Sequence, residues 1–259
     1  MNSTLALFSQ EYGEKGKPKL VVLHGLLGSS RNWATAARGL AESFHVYALD
    51  LRNHGKSPHV DSNTHEDMVG DVVAWLEAGQ HSPVHLLGHS LGGKVAMRLA
   101  CRRPELLESL CVVDIAPKEY RTHRLELEAM LAVDVQTVES RTQADEMLVA
   151  AGLEELTLRQ FLLTNLVRVA GGFAWQPNLQ VLLSHVEELA RSPLGPDDHF
   201  SGETLFIIGD CSPYVTPTDG ALIRDHFSAA EIVSISDCGH NPHHEKREEF
   251  VAVLCDRLC

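Results

Sequence analysis

Apolar positions in this chain follow two periods. Short runs of Val, Leu, Ile and Ala bounded by turn-forming residues predict strands over residues 4–8, 20–23, 45–50, 84–87, 110–114, 204–208 and 231–235. Apolar positions at helical spacing predict helices over residues 32–42, 64–77, 91–103, 219–227 and 244–258, with Thr64 as an N-cap and Pro104 as a stop. The polar stretch 11–19 predicts an opening hairpin between the first two strands. Strands that alternate with helices read as βαβ units, so the expected class is α/β with a mostly parallel central sheet flanked by helices.

The alternation breaks once. Residues 118–200 read as amphipathic helices at 121–131, 143–151, 156–169 and 179–191, with a turn at Gly171-Gly172. Strand-like composition is expected to return only at residue 204. The organisation expected is a core of residues 1–117 and 201–259, interrupted by a helical cap over 118–200.

Composition narrows the function. A chain of 259 residues, 44% hydrophobic, forms one large domain or one domain carrying an insertion. The net charge of -13 argues against nucleic acid or an anionic membrane surface as partner, leaving a small-molecule substrate. No stretch approaches the length of a membrane span. The apolar run 5–8 is too short for a signal sequence, which gives a cytoplasmic location as the expectation. The six cysteines show no C-x-x-C pair and read as free thiols of a reducing compartment.

The chemistry centres on residues 84–97, VHLLGHSLGGKVAM. A strand, the turn Gly88-His89-Ser90-Leu91-Gly92 and a helix form the context in which G-x-S-x-G marks a nucleophile elbow. A Cβ at Gly88 or Gly92 would collide with neighbouring backbone, and the sharp bend presents the Ser90 hydroxyl beside a helix N-terminus. A serine hydroxyl needs a base. His240 follows Gly239 in the loop after the last strand, where Ser-to-His chain order requires it. His240, His243 and His244 lack the carboxylate-plus-helix template of a zinc site, so no metal is expected.

These landmarks, with His24-Gly25, resemble the α/β-hydrolase superfamily. Five segments narrow the resemblance: HGLLGSSRNW (24–33), LRNHGKSP (51–58), GHSLGGKVAM (88–97), VVDIAPKEY (112–120) and SPYV (212–215). They are similar to the small esterase and thioesterase branch that holds bacterial esterases and the abhydrolase domain-containing protein eleven. The resemblance implies a cap inserted after the sixth strand of the fold, hydrolysis of acyl esters or thioesters, and no organic cofactor. Counting three residues from Gly209, where the superfamily commonly carries its acid, gives Ser212, which holds no charge. Asp210 and Asp114 are the two carboxylates near strand ends that could replace it; the narrower resemblance implies Asp114, with Ser212 as an auxiliary hydrogen-bonding residue.

The oxyanion donors expected are the backbone N–H groups of Leu26 and Leu91. His24 and His89 read as loop-orienting residues, and Arg52, Asn53 and His54 as a loop-bracing network. Lys94 is either solvated or ion-paired. Phe161, Leu162, Leu166, Phe173 and Trp175 read mostly as cap core, with Met147, Phe161 and Trp175 as candidates for the substrate pocket. The reading is a serine hydrolase working through Ser90, His240 and Asp114 on an ester or thioester. The alternatives are a C–C bond hydrolase, peptidase or lyase with the same triad, and a hydrolase-like binding protein without turnover.

Overall fold

The computed structural model describes residues 5–258. Its strands are β1 (Ser9–Tyr12), β2 (Lys19–Leu23), β3 (His45–Leu49), β4 (Val84–His89), β5 (Leu107–Val113), β6 (Leu166–Val169), β7 (Gly172–Trp175), β8 (Thr204–Gly209) and β9 (Ala230–Ile235). The helices are α1 (Ser30–Leu40), α2 (His65–Ala78), α3 (Leu91–Arg102), α4 (Arg124–Ala132), α5 (Arg141–Ala150), α6 (Leu156–Leu163), α7 (Leu179–Ser184), α8 (Val186–Ala190), α9 (Asp219–His226), α10 (Pro242–Glu245) and α11 (Arg247–Leu258).

Seven strands form one sheet in the order β1-β3-β2-β4-β5-β8-β9, parallel throughout except for β1 at the edge. Side chains along a strand alternate between faces, and both faces here are covered. Val21, Leu23, Leu86, Leu110 and Val112 pack with Met68 and Val72 of α2 and Val95 and Leu99 of α3. Leu20, Val22, Leu87, Cys111 and Val113 pack with Trp33 and Leu40 of α1 and Phe250 and Leu254 of α11. Burial on both sides explains why these strands read as continuous apolar runs.

The opening hairpin is not formed. β2 is paired on both edges by β3 and β4, so β1 takes the remaining edge of β3, with Ser9 opposite Leu49. The expected strand at 4–8 begins outside the described residues, and residues 5–8 join no ladder. Their backbone is held by isolated bonds: Leu5 N–H donates to Asp71 Oδ1 at 3.1 Å, Phe8 N–H to Ser57 Oγ at 2.9 Å, and Phe8 O accepts the Asp50 N–H at 2.9 Å.

The segment between β5 and β8 adds no strand to the main sheet. It leaves after β5, the fifth strand in chain order among the described residues. It is also not wholly helical. The helix expected over 156–169 ends at Leu163, and β6 and β7 pair as an antiparallel hairpin, with Val169 opposite Gly172. β-branched Val167 and Val169 favour an extended chain, and Gly171 at φ 90° supplies the left-handed turn. The helix expected over 179–191 is broken into α7 and α8 at His185, and the last helix into α10 and α11 at Lys246.

Candidate active site

Chain order reverses its direction across the sheet between β2 and β4, and loops at the carboxyl ends of strands flanking such a switch form a crevice. Ser90 lies there, immediately after β4, at φ 51° and ψ -117°. Its N–H bonds Val113 O at 3.1 Å, and its carbonyl accepts the Lys94 N–H at 3.0 Å, which starts α3. A Cβ on Gly88 would overlap the Gly92 carbonyl, and one on Gly92 would overlap the carbonyls of Leu23 and His24. Those two glycines therefore make the bend possible.

Asp114 follows β5 at φ 50° and is fully buried. Its Oδ1 accepts the Gly209 N–H at 3.1 Å, and its Oδ2 accepts the Ser212 hydroxyl and the His240 Nδ1–H, the latter at 2.7 Å. Nδ1 is thereby the protonated nitrogen facing the carboxylate, and Nε2 is left for other work. Asp210 is exposed and turned elsewhere. Its Oδ1 accepts the Cys238 N–H at 3.2 Å. Hydrogen bonds from Cys211 and Cys238 lower its pKa.

His24 and His89 brace loops. His24 Nδ1–H donates to Gly25 O at 2.8 Å and Nε2 accepts the Leu51 N–H at 3.0 Å, so the ring is neutral. His89 Nε2–H donates to the His240 carbonyl at 2.8 Å, and burial lowers its pKa well below 6.5. Arg52 forms a two-pronged bond to Asp71 at 2.7 and 2.8 Å, and Asn53 bonds Ser62 and Asn63, both at 3.0 Å. Lys94 is neither solvated nor ion-paired in the simple sense. Its ammonium donates to the carbonyls of Leu189, Ala190 and Arg191 at 2.9, 2.8 and 2.7 Å, where α8 ends. Burial lowers its pKa to about 7, with Glu119 and Glu188 opposing.

A cavity of about 310 Å³ is lined by Ser90, His240, Leu26 and Phe161, together with Arg121, His123, Glu126 and Tyr214. A smaller one of about 30 Å³ adjoins Ser90, Leu26, Leu91 and Lys94. Of the three pocket candidates, Phe161 lies on the cavity wall. Met147 and Trp175 line neither cavity and pack against the core, Trp175 with its indole N–H buried and without a partner among the described residues. Helical spacing identified apolar positions there but could not say which faced the nucleophile.

Sequence reasoning assigned nothing to Arg121, His123 and Glu126, because charges in the first turns of an expected helix look like a solvated end. It also missed Asn165, whose Nδ2–H donates to Leu27 O at 2.8 Å and ties the segment between β5 and β8 to the His24–Gly28 loop. Among the described residues, no group of three His, Cys, Asp or Glu side chains is disposed to hold a metal ion.

A parallel sheet with the serine elbow after β4 and a histidine loop after β9 defines an α/β-hydrolase. The alpha/beta hydrolase fold family matches residues 18–247, and the chain belongs to it. It is 36% identical over 255 residues to the mouse protein named sn-1-specific diacylglycerol lipase ABHD11, covering 95% of this chain and 82% of that one. It is 32% identical over 240 residues to Esterase YbfF of Escherichia coli, covering 91% of each. Among solved structures, a marine microorganism esterase superposes with a TM-score of 0.93 at 32% identity, covering 98% of this chain and 100% of that one.

Proposed function

We propose that this protein is a serine hydrolase of carboxylic esters, with Ser90 as nucleophile, His240 as base and acid, and Asp114 as the orienting carboxylate. The observation that carries the reading is the 2.7 Å bond between buried Asp114 and His240 Nδ1, with Ser90 on its left-handed bend in the wall of the same cavity. Ser90 Oγ attacks the ester carbonyl while His240 Nε2 takes its proton. Asp114 stabilises the imidazolium, which then protonates the leaving alcohol. Water, activated by the same imidazole, releases the acid from the acyl-enzyme. The backbone N–H groups of Leu26 and Leu91 are assigned to the oxyanion, since both residues line the space beside Ser90 and the Leu91 N–H opens a helix. Ser212 is auxiliary, adding its hydroxyl to Asp114.

The segment 118–200 serves in this reading as the cap that walls the cavity, through Phe161 and Leu162. Acyl thioesters fall within the same chemistry. Among the described residues no helix is long and apolar enough to cross a membrane. The free thiols of Cys101, Cys111, Cys211 and Cys238 fit a reducing compartment, the cytoplasm.

The test is a pre-steady-state assay with p-nitrophenyl butyrate, run beside matched butyryl thioesters. A burst of p-nitrophenol matching the enzyme concentration, abolished by Ser90→Ala, is expected. No turnover of any ester or thioester by the intact chain would leave a hydrolase-like binding protein as the better reading.

A further inference from the structure

The scheme above makes no demand on Tyr214, yet its ring lies flat against His240, with centroids 3.7 Å apart and planes 13° from parallel. The ring is held from several sides. Tyr214 N–H donates to Ser212 Oγ at 3.2 Å, and its carbonyl accepts the Tyr120 hydroxyl at 2.9 Å. Its own hydroxyl lies 3.3 Å from His123 Nε2, while His123 Nδ1 lies 3.2 Å from Glu126 Oε1. With Nδ1–H directed at that carboxylate, Nε2 is an acceptor and the phenol is the donor. Burial pushes the phenol pKa up, so the ring stays neutral. Glu126 and His123, at the start of the cap, thus secure a ring whose π face is turned to the imidazole.

A neutral imidazole gains little from such a face, but a cation over it is attracted by the ring quadrupole. His240 becomes cationic when it removes the Ser90 proton. The stabilisation therefore arises in the transition state and not in the resting enzyme, which is the condition for accelerating the step. We propose that Tyr214 is a positioning residue for His240: it fixes the plane of the imidazole and stabilises the imidazolium from its face, as Asp114 does from its edge. The cap residues His123 and Glu126 set Tyr214 in turn. This inference rests on the Ser90–His240–Asp114 reading.

The experiment measures kcat and kcat/KM for a short-chain ester against pH. Tyr214→Leu is expected to lower kcat about fivefold to thirtyfold, with KM moving less than about threefold. The acid limb of kcat/KM, which reports the free base, is expected to move down by about 0.5–1 pH unit. Tyr214→Phe keeps the ring and is expected to restore both readouts to within about threefold of the parent protein. A filler role would lower activity without moving the limb. If Tyr214→Leu fails to fold, pentafluorophenylalanine incorporated at position 214 keeps the shape and inverts the quadrupole; it is expected to reproduce the downward shift relative to Tyr214→Phe. A limb that stays in place or moves up in these variants overturns the inference. Ser90→Ala separates the two readings. Ester turnover that survives Ser90→Ala removes the triad and this proposal together, whereas loss of turnover with an unmoved limb removes only the role of Tyr214.

Discussion

At the scale of single residues, the site depends on one buried carboxylate with three donors aimed at it. Asp114 carries no exposed surface and takes hydrogen bonds from Gly209, Ser212 and His240. Asp114→Asn keeps the size but removes the charge that fixes the imidazole tautomer, so kcat is expected to fall about 10³- to 10⁴-fold. Asp210→Asn disturbs the hydrogen bonds from Cys211 and Cys238 at an exposed position and is expected to stay within about threefold. Steady-state kinetics on one ester with both variants checks this, and the opposite ranking would move the acid to Asp210. Ser90 and His240 were legible in the chain because each is announced by neighbours in sequence, a glycine turn after an apolar strand. The choice of Asp114 over Asp210 rested on the family resemblance and not on the local pattern. Alternation along a strand says where a side chain points within the ladder, but both carboxylates lie past strand ends. Asp114 turns inward through a left-handed φ of 50°, which spacing does not encode.

At the scale of elements, the end of α8 is held to the sheet layer by the ammonium of Lys94, which rises from α3. Helix ends leave carbonyls without partners and carry partial negative charge. Lys94→Met would leave the carbonyls of Leu189, Ala190 and Arg191 buried without their donor. The expected loss is about 2–3 kcal/mol, or a fall in Tm of about 5–10 °C, read by thermal unfolding. An unchanged Tm would mean that the end of α8 is secured elsewhere. Helices with a start signal were readable. Thr64 accepts the Asp67 N–H at 3.1 Å, and its own N–H donates back to Asp67 at 3.2 Å, as a capping residue should. The β6–β7 hairpin was not readable as such. Four apolar or basic residues after a helix suit either a last helical turn or a short strand, and pairing with residues 172–175 settles it.

At the scale of the whole molecule, several histidines are buried as neutral rings. Burial lowers the pKa of His54, His65 and His243 to about 3, with Lys94 and Arg98 adding to the effect at His65, and those of His24 and His89 are lowered too. In the unfolded chain each titrates near 6.5, so between about pH 6.5 and 3 the unfolded state binds more protons than the native one. Stability contributed by the neutral rings is complete above pH 6.5 and is lost as pH falls below it, at up to about 1.4 kcal/mol per pH unit for each ring. Urea unfolding from pH 7 to 4 is expected to show steep acid destabilisation, and a flat profile to pH 4.5 would contradict it. Taken by itself, the sequence determined what depends on neighbours along the chain: the α/β alternation, the elbow at Ser90 and the place of His240 after the last strand. The tertiary structure alone decided which carboxylate stands behind the imidazole, which ring covers it and which cation holds the end of α8. Those contacts join residues 126, 26 and 95–97 positions apart, and their geometry is set by how the sheet, loops and cap pack, which local periodicity does not record.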